Sequence, residues 1–172
     1  MSTYTLIQSQ TLASSAASVT FSSIPATYTD LVLRTSVRTD RVTFPDRFIL
    51  NFNGIVTSVY SDTLLMGSGS AATTVNNVTN TYLPNGVTID SAAYTTNTYG
   101  SSELYIPNYT ASQSKPLSWF SVSENNATAA EIFINAGLFA NTAAINQMVL
   151  ISSSGSNFLA TSSFYLYGIS NA

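Results

Sequence analysis

The stretch FILNFNGIVTSVY, Phe48 to Tyr60, reads as two alternating apolar runs on either side of Asn53-Gly54. A type I′ turn needs positive φ at both central residues, and an Asn-Gly pair tolerates it, so the stretch predicts a two-residue β-hairpin. In that register Phe52 faces Ile55, Leu50 faces Thr57 and Phe48 faces Val59, which gathers the apolar side chains on one face.

The same period of two recurs on both sides of this turn, and helical spacing is scarce. The clearest runs are Val19 to Ile24, Leu31 to Val37, Glu103 to Ile106, Trp119 to Val122, Ile132 to Phe139, Met148 to Ile151 and Phe164 to Ile169. Leu31, Leu33, Thr35 and Val37 share one face, and Val32, Arg34, Ser36 and Arg38 the other. Pro25, Pro45, Pro107 and Pro116 stand at the edges of such runs, where a missing N–H does least harm. Pro84-Asn85-Gly86 is a second turn signal. Two segments are candidates for short helices, Ala127 to Ile132 and Thr142 to Met148, the latter with Asn141 as N-cap.

These patterns predict an all-β chain folded as a single antiparallel β-sandwich over residues 1–172, jelly-roll-like in type. Residues 1–12 are expected as an extended N-terminal arm. Residues 62–99, rich in Gly, Ser, Thr and Asn, are expected as a long loop-rich insertion with one or two short strands, a projecting lobe.

Charged residues are only 8% of the chain, far below the quarter typical of soluble domains, so polarity comes from Ser, Thr and Asn. A net charge of −3 weighs against a general nucleic-acid binder, because phosphate affinity comes mainly from Lys and Arg. With no cysteine there are no disulfides or thiolate sites, and with no histidine the commonest metal ligand and general base is missing. Met1 to Ile7 lacks the charged region and apolar core of a signal peptide, so synthesis is expected in the cytoplasm. No apolar run reaches the length of a membrane span, and no membrane partner is expected.

Signals for chemistry are weak. Ser112 to Lys115 matches S-x-x-K, yet neither S-D-N nor K-T-G follows, and Lys115 precedes Pro116 as in a loop entering a strand. Asp62, Asp90, Glu103, Glu124 and Glu131 carry no spacing that pairs them for glycoside hydrolysis. No calcium loop or phosphate cradle is present. No catalytic residue, metal site or cofactor is therefore assigned. Trp119 and Tyr105 read as core residues, whereas Tyr82, Tyr94 and Tyr99 are candidates for a sugar-binding platform.

The two ends carry recognisable text. Tyr4 to Arg38 reads YTLIQSQTLASSAASVTFSSIPATYTDLVLRTSVR, and Tyr99 to Ile169 contains YGSSELYIPNYT, KPLSWFSVSENNATAA and NFLATSSFYLYGI. This text resembles small virion proteins of tailed bacteriophages, over most of the chain except Asp62 to Thr98. The resemblance implies a β-sandwich displayed on the virion surface, as a capsid decoration (cement) protein or as part of a head or tail fibre.

The leading expectation is a homotrimeric decoration protein whose partner is the major capsid protein. Two contact regions are expected: the N-terminal segment with Tyr4, Leu6 and Ile7, able to add a strand to a neighbour's edge, and the cluster Arg34, Arg38, Arg41 and Arg47. The alternative is a lectin-like receptor-binding protein that presents Tyr82, Tyr94 and Tyr99 to a host glycan. A glycan hydrolase is the third class.

Overall fold

The computed structural model describes residues 3–125 and 130–170. It is an antiparallel β-sandwich. Twelve strands follow in order: β1 (Thr3–Thr11), β2 (Ser18–Phe21), β3 (Asp30–Val37), β4 (Asp46–Phe52), β5 (Tyr60–Gly67), β6 (Ala72–Asn80), β7 (Leu83–Ile89), β8 (Gly100–Ile106), β9 (Lys115–Glu124), β10 (Ala130–Phe139), β11 (Met148–Ser152) and β12 (Ser163–Ser170). An eight-stranded sheet runs β1-β12-β3-β8-β9-β10-β5-β6, and a four-stranded sheet runs β2-β11-β4-β7.

Alternation drives the strands where one face meets the core. In β9, Lys115, Leu117, Trp119, Ser121 and Ser123 are buried while Pro116, Ser118, Phe120 and Glu124 are exposed. The core between the sheets is aromatic: Phe48 lies 5.3 Å from Trp119 and 6.2 Å from Phe158, which in turn meets Phe164 at 5.4 Å. At such separations rings gain tilted and edge-on contacts in addition to burial.

The expected hairpin at Asn53-Gly54 is half formed. Both residues have positive φ, 55° and 66°, and the Ile55 N–H donates to Phe52 C=O at 2.9 Å, so the tight turn is there. The strands then part. In a two-residue hairpin the Phe52 N–H would donate back to Ile55 C=O. Here the Tyr60 hydroxyl stands between them, accepting from Phe52 N at 2.9 Å and donating to Ile55 O at 2.9 Å. Residues 56–59 leave the ladder, β4 pairs with β11 and β7, and β5 enters the other sheet between β10 and β6. The expected pairs Leu50 with Thr57 and Phe48 with Val59 are replaced by Leu50 with Leu150 and Phe48 with Ser152.

Residues 62–99, expected as a loop-rich insertion with one or two short strands, carry most of β5 and all of β6 and β7. Pro84-Asn85-Gly86 is not a chain reversal but a bulge inside β7: Phe48 pairs with Val87 while Leu50 pairs with Leu83. A Cβ on Gly86 would collide with the Phe48 carbonyl oxygen and sit 3.2 Å from the Trp119 ring, so this close approach of β7 to β4 requires glycine. The helix considered over Thr142 to Met148 is absent; Asn141 instead caps a turn, its Oδ1 accepting from Ala143 N at 2.8 Å. Of the other candidate helix, Ala127 to Ala129 lie outside the described residues, and Ala130 to Ile132 open β10.

The N-terminal arm, described from Thr3, is a strand of the chain's own sheet. β1 pairs with β12, with Ile7 as an extra residue between Leu6 and Gln8. Its inward side chains close one side of the sandwich: Gln8 and Gln10 each donate at 2.7 Å to carbonyls of the opposite sheet's edge, Ser22 O and Thr20 O.

Replacing Tyr60 by Phe removes the hydroxyl that serves both Phe52 and Ile55, and should cost about 1–3 kcal/mol in urea denaturation. Burial pushes the Tyr60 phenol up to about 12. The fold therefore holds this proton more tightly than the unfolded chain, whose tyrosines titrate near 10. The Tyr60 contribution is intact below pH 10 and falls as pH rises from there toward 12. Denaturation midpoints measured across that window should drop less steeply in Tyr60→Phe than in the parent protein.

Candidate functional site

The eight-stranded sheet buries one face against the smaller sheet, and its other face is largely open, although Val32 and Asp30 are buried on it. Strand register assembles this outer face in rows. One row crosses all eight strands as Ser9, Tyr165, Arg34, Glu103, Phe120, Ile134, Leu65 and Thr74. A neighbouring row runs Leu6, Tyr167, Val32, Tyr105, Ser118, Ala136 and Thr63.

Half of this face is apolar. Phe120 is 46% exposed, Ile134 53%, Leu65 46% and Ile132 42%, and their strands β9, β10 and β5 are adjacent. A shallow groove of about 130 Å³ runs between Leu65, Gly67, Ala72, Ile132 and Ile134. Single exposed apolar residues are ordinary, but a contiguous group on a flat sheet marks an interaction surface.

The other half is aromatic and carries one ion pair. Arg34 Nε donates to Glu103 Oε2 at 2.7 Å, with both side chains about half exposed. The Arg34 guanidinium lies 5.7 Å from the Tyr4 ring centre and 6.0 Å from that of Tyr167, within reach of the ring faces. The hydrogen bond to Glu103 raises the Arg34 pKa from its ordinary value. Tyr105, read from the sequence as core, is on this outer face, half-buried, with its hydroxyl on Asp30 Oδ2 at 3.0 Å. Trp119 is buried as expected.

Of the N-terminal candidates, Tyr4 and Leu6 lie on the outer face of β1, each about half exposed, whereas Ile7 packs against the core. The four arginines are not brought together. Arg34 alone lies on the outer face. Arg38 is buried and donates to Tyr94 O at 3.0 Å, Thr95 O at 2.8 Å and Thr98 O at 2.9 Å, holding the β7–β8 loop in place. Arg41 reaches Thr43 Oγ1 at 2.8 Å and Asp46 at 3.5 Å. Arg47 places its guanidinium 4.9 Å from the Phe133 ring centre.

The three tyrosines considered for glycan binding do not form a platform. Tyr94 is buried, 4.8 Å from the Phe44 ring, and burial pushes its phenol up to about 12. Tyr99 bonds the Thr161 hydroxyl and Ala160 O. Tyr82 is exposed between β6 and β7.

Of the carboxylates weighed for catalysis, Glu124 and Glu131 line one open pocket of about 370 Å³ and Asp90 is bonded to Ser123 beside them, whereas Asp62 and Glu103 lie elsewhere on the sheet. Asp62 accepts from Asn77 and Asn135, Glu131 from Thr88, and Asp90 from Ser123. Among the described residues no three Asp or Glu gather into a group able to hold a metal ion, and no helix is long and apolar enough to cross a membrane.

The residues that dominate the outer face, Phe120, Ile132, Ile134, Leu65, Tyr165 and Tyr167, were not singled out as contact candidates in the sequence. The available signal was the adjacency of apolar residues within a strand, as in Trp119-Phe120 and Ile132-Phe133-Ile134, which makes both faces of that strand apolar.

Comparison with protein-family models, curated proteins and solved structures finds no match for this chain.

The arginines should separate sharply in urea denaturation. Arg38→Ala empties a buried site and removes the donor that serves the buried Tyr94 carbonyl, and should cost about 2–4 kcal/mol, whereas Arg34→Ala breaks an exposed pair and should cost no more than about 1 kcal/mol. Equal losses at the two positions would contradict these placements.

Proposed function

We propose that this protein is a structural component of a bacteriophage virion, a capsid decoration (cement) subunit that binds the outer shell and bridges major capsid subunits. The observation that carries this reading is the open outer face of the large sheet, with its contiguous apolar group beside an aromatic half. A face of this kind is suited to lasting contact with protein, since covering Phe120, Ile134 and Leu65 removes apolar surface from water at roughly 25 cal/mol per Å². The resemblance of the chain's two ends to small phage virion proteins supplies the setting. The low charge fits it too, because hydroxyls and amides can be covered by a neighbour at less cost than ions.

A subunit of this kind works by mass action: it binds assembled shell and not the dispersed capsid protein, and so raises the shell's stability by the free energy of its own binding. Adjacent capsid subunits held by one decoration subunit must then separate against that added contact.

Gold-labelled antibody against the protein should mark purified particles across the capsid face, with on the order of hundreds of copies per particle, as expected of a subunit that repeats with the symmetry of the shell. Label confined to a tail or fibre tip, or only a few copies per particle, overturns the decoration reading.

A further inference from the structure

We infer that the outer face of the eight-stranded sheet binds a second copy of this chain, face to face about a two-fold axis parallel to the strands and centred between β3 and β8. The ground is the self-complementarity of the face and needs no virion role; because the shell contact proposed above uses the same face, the dimer is the state of the free protein and opens when a subunit docks on the shell.

Such an axis lays each strand over the partner strand at equal distance on the other side of the centre. In the central row Ser9, Tyr165, Arg34, Glu103, Phe120 and Ile134, the operation puts Arg34 over the partner's Glu103 and Glu103 over the partner's Arg34. Tyr165 meets the partner's Phe120, aromatic on aromatic, and Ser9 meets the partner's Ile134. In the next row Leu6 falls over the partner's Ala136 and Tyr167 over the partner's Ser118, large on small, while the partner's Tyr105 falls over Val32, which is buried. Opposite charges meet and no like charges do, which is the arrangement that selects a partner. Shifting the axis by half a strand spacing, onto β3 or β8, would set Arg34 over itself or Glu103 over itself, and a full-strand shift would set Arg34 over Tyr165 or Glu103 over Phe120.

The area suffices. Six overlapping strands about 4.8 Å apart, with roughly seven residues each at 3.4 Å per residue, cover about 700 Å². That approaches the ~800 Å² per partner of a stable interface. Sheets packed face to face keep their strands within about 30° of alignment, which this axis permits.

The contact is isologous and yields dimers. A three-fold assembly of the kind expected from the sequence needs a heterologous surface and cannot be built from it.

Sedimentation equilibrium and native mass spectrometry of the purified full chain test the inference, with circular dichroism and thermal midpoints as controls on folding. A dimer is expected. Arg34→Glu and Glu103→Arg, each setting like charges face to face, should weaken dimerisation more than about tenfold, and the double swap R34E/E103R should restore it. Phe120→Ser and Ile134→Thr change exposed residues and should shift the chain toward monomer with its midpoint little altered. A monomer at every concentration, a trimer, or a dimer indifferent to both the charge reversals and the apolar truncations overturns the inference.

Discussion

One hydroxyl decides how the chain divides between its sheets. Tyr60 occupies the place where Phe52 and Ile55 would complete a hairpin, and its ring stacks on Phe139 at 5.2 Å with an interplanar angle of 18°. Were the hairpin closed, β5 would lie beside β4 and neither sheet would have its observed order. With the hydroxyl satisfying both backbone groups, the chain opens the ladder without leaving a buried N–H or C=O orphaned, which is the condition for such a departure. Asn53 anchors the turn from the other side: its Oδ1 accepts from Asn146 N at 2.9 Å, and its Nδ2 donates to Ala144 O at 2.8 Å.

Few charges are available, and several of them fix loops. Asp46 is fully buried and accepts from Thr39, Ser152, Ser154 and the Arg47 N–H, tying the start of β4 to the turn after β11. Lys115 donates to Asn141 O and Ala143 O, and burial lowers its pKa from the usual lysine value. Arg38 does the same for the β7–β8 loop. Lys115 and Arg38 are held by neutral carbonyl dipoles, and Asp46 by hydroxyls and a backbone N–H with Arg41 at 3.5 Å; charge-assisted hydrogen bonds are stronger than neutral ones. Low charge content is thus compatible with a well-determined fold. Exposed ion pairing between side chains on the large sheet's outer face is represented by Arg34 and Glu103.

Strand existence was legible wherever one face meets the core, as in β3, β9, β10 and β12. It was not legible for β6, ATTVNNVTN, because that strand is exposed along nearly its whole length and its pattern has no buried side to report. The hairpin failed for a different reason: turn chemistry is local, while the group that splits the ladder lies eight residues beyond Phe52. The arginines illustrate the same limit for the site. Their closeness in sequence implied a cluster, but strand parity and the loop after β3 send Arg34 to the outer face and Arg38 into the interior. Tyr4 and Leu6 were visible as contact candidates. Their neighbours Tyr165 and Tyr167 come from the far end of the chain, and only the β1–β12 register brings them alongside.

The edges and the face of the large sheet are treated differently, and the contrast indicates where association is directed. Both edge strands, β1 and β6, are nine residues long and contain no charge or proline, the usual guards against edge-to-edge pairing. Each carries a bulge instead. Ile7 is the extra residue in β1, and in β6 the pairing steps from Asn80 to Asn77 while β5 advances only two residues, with Thr79 at a φ of 59°. A bulge interrupts the row of backbone donors and acceptors and twists the strand away from a straight partner. In the smaller sheet, β2 has its edge carbonyls covered by Gln8 and Gln10, and β7 is bent at Pro84 to Gly86. Backbone pairing is therefore discouraged on every edge. Across the outer face no comparable guard interrupts Leu65, Ile134 and Phe120, so side-chain contact across that face, not strand addition, is the association the fold leaves open.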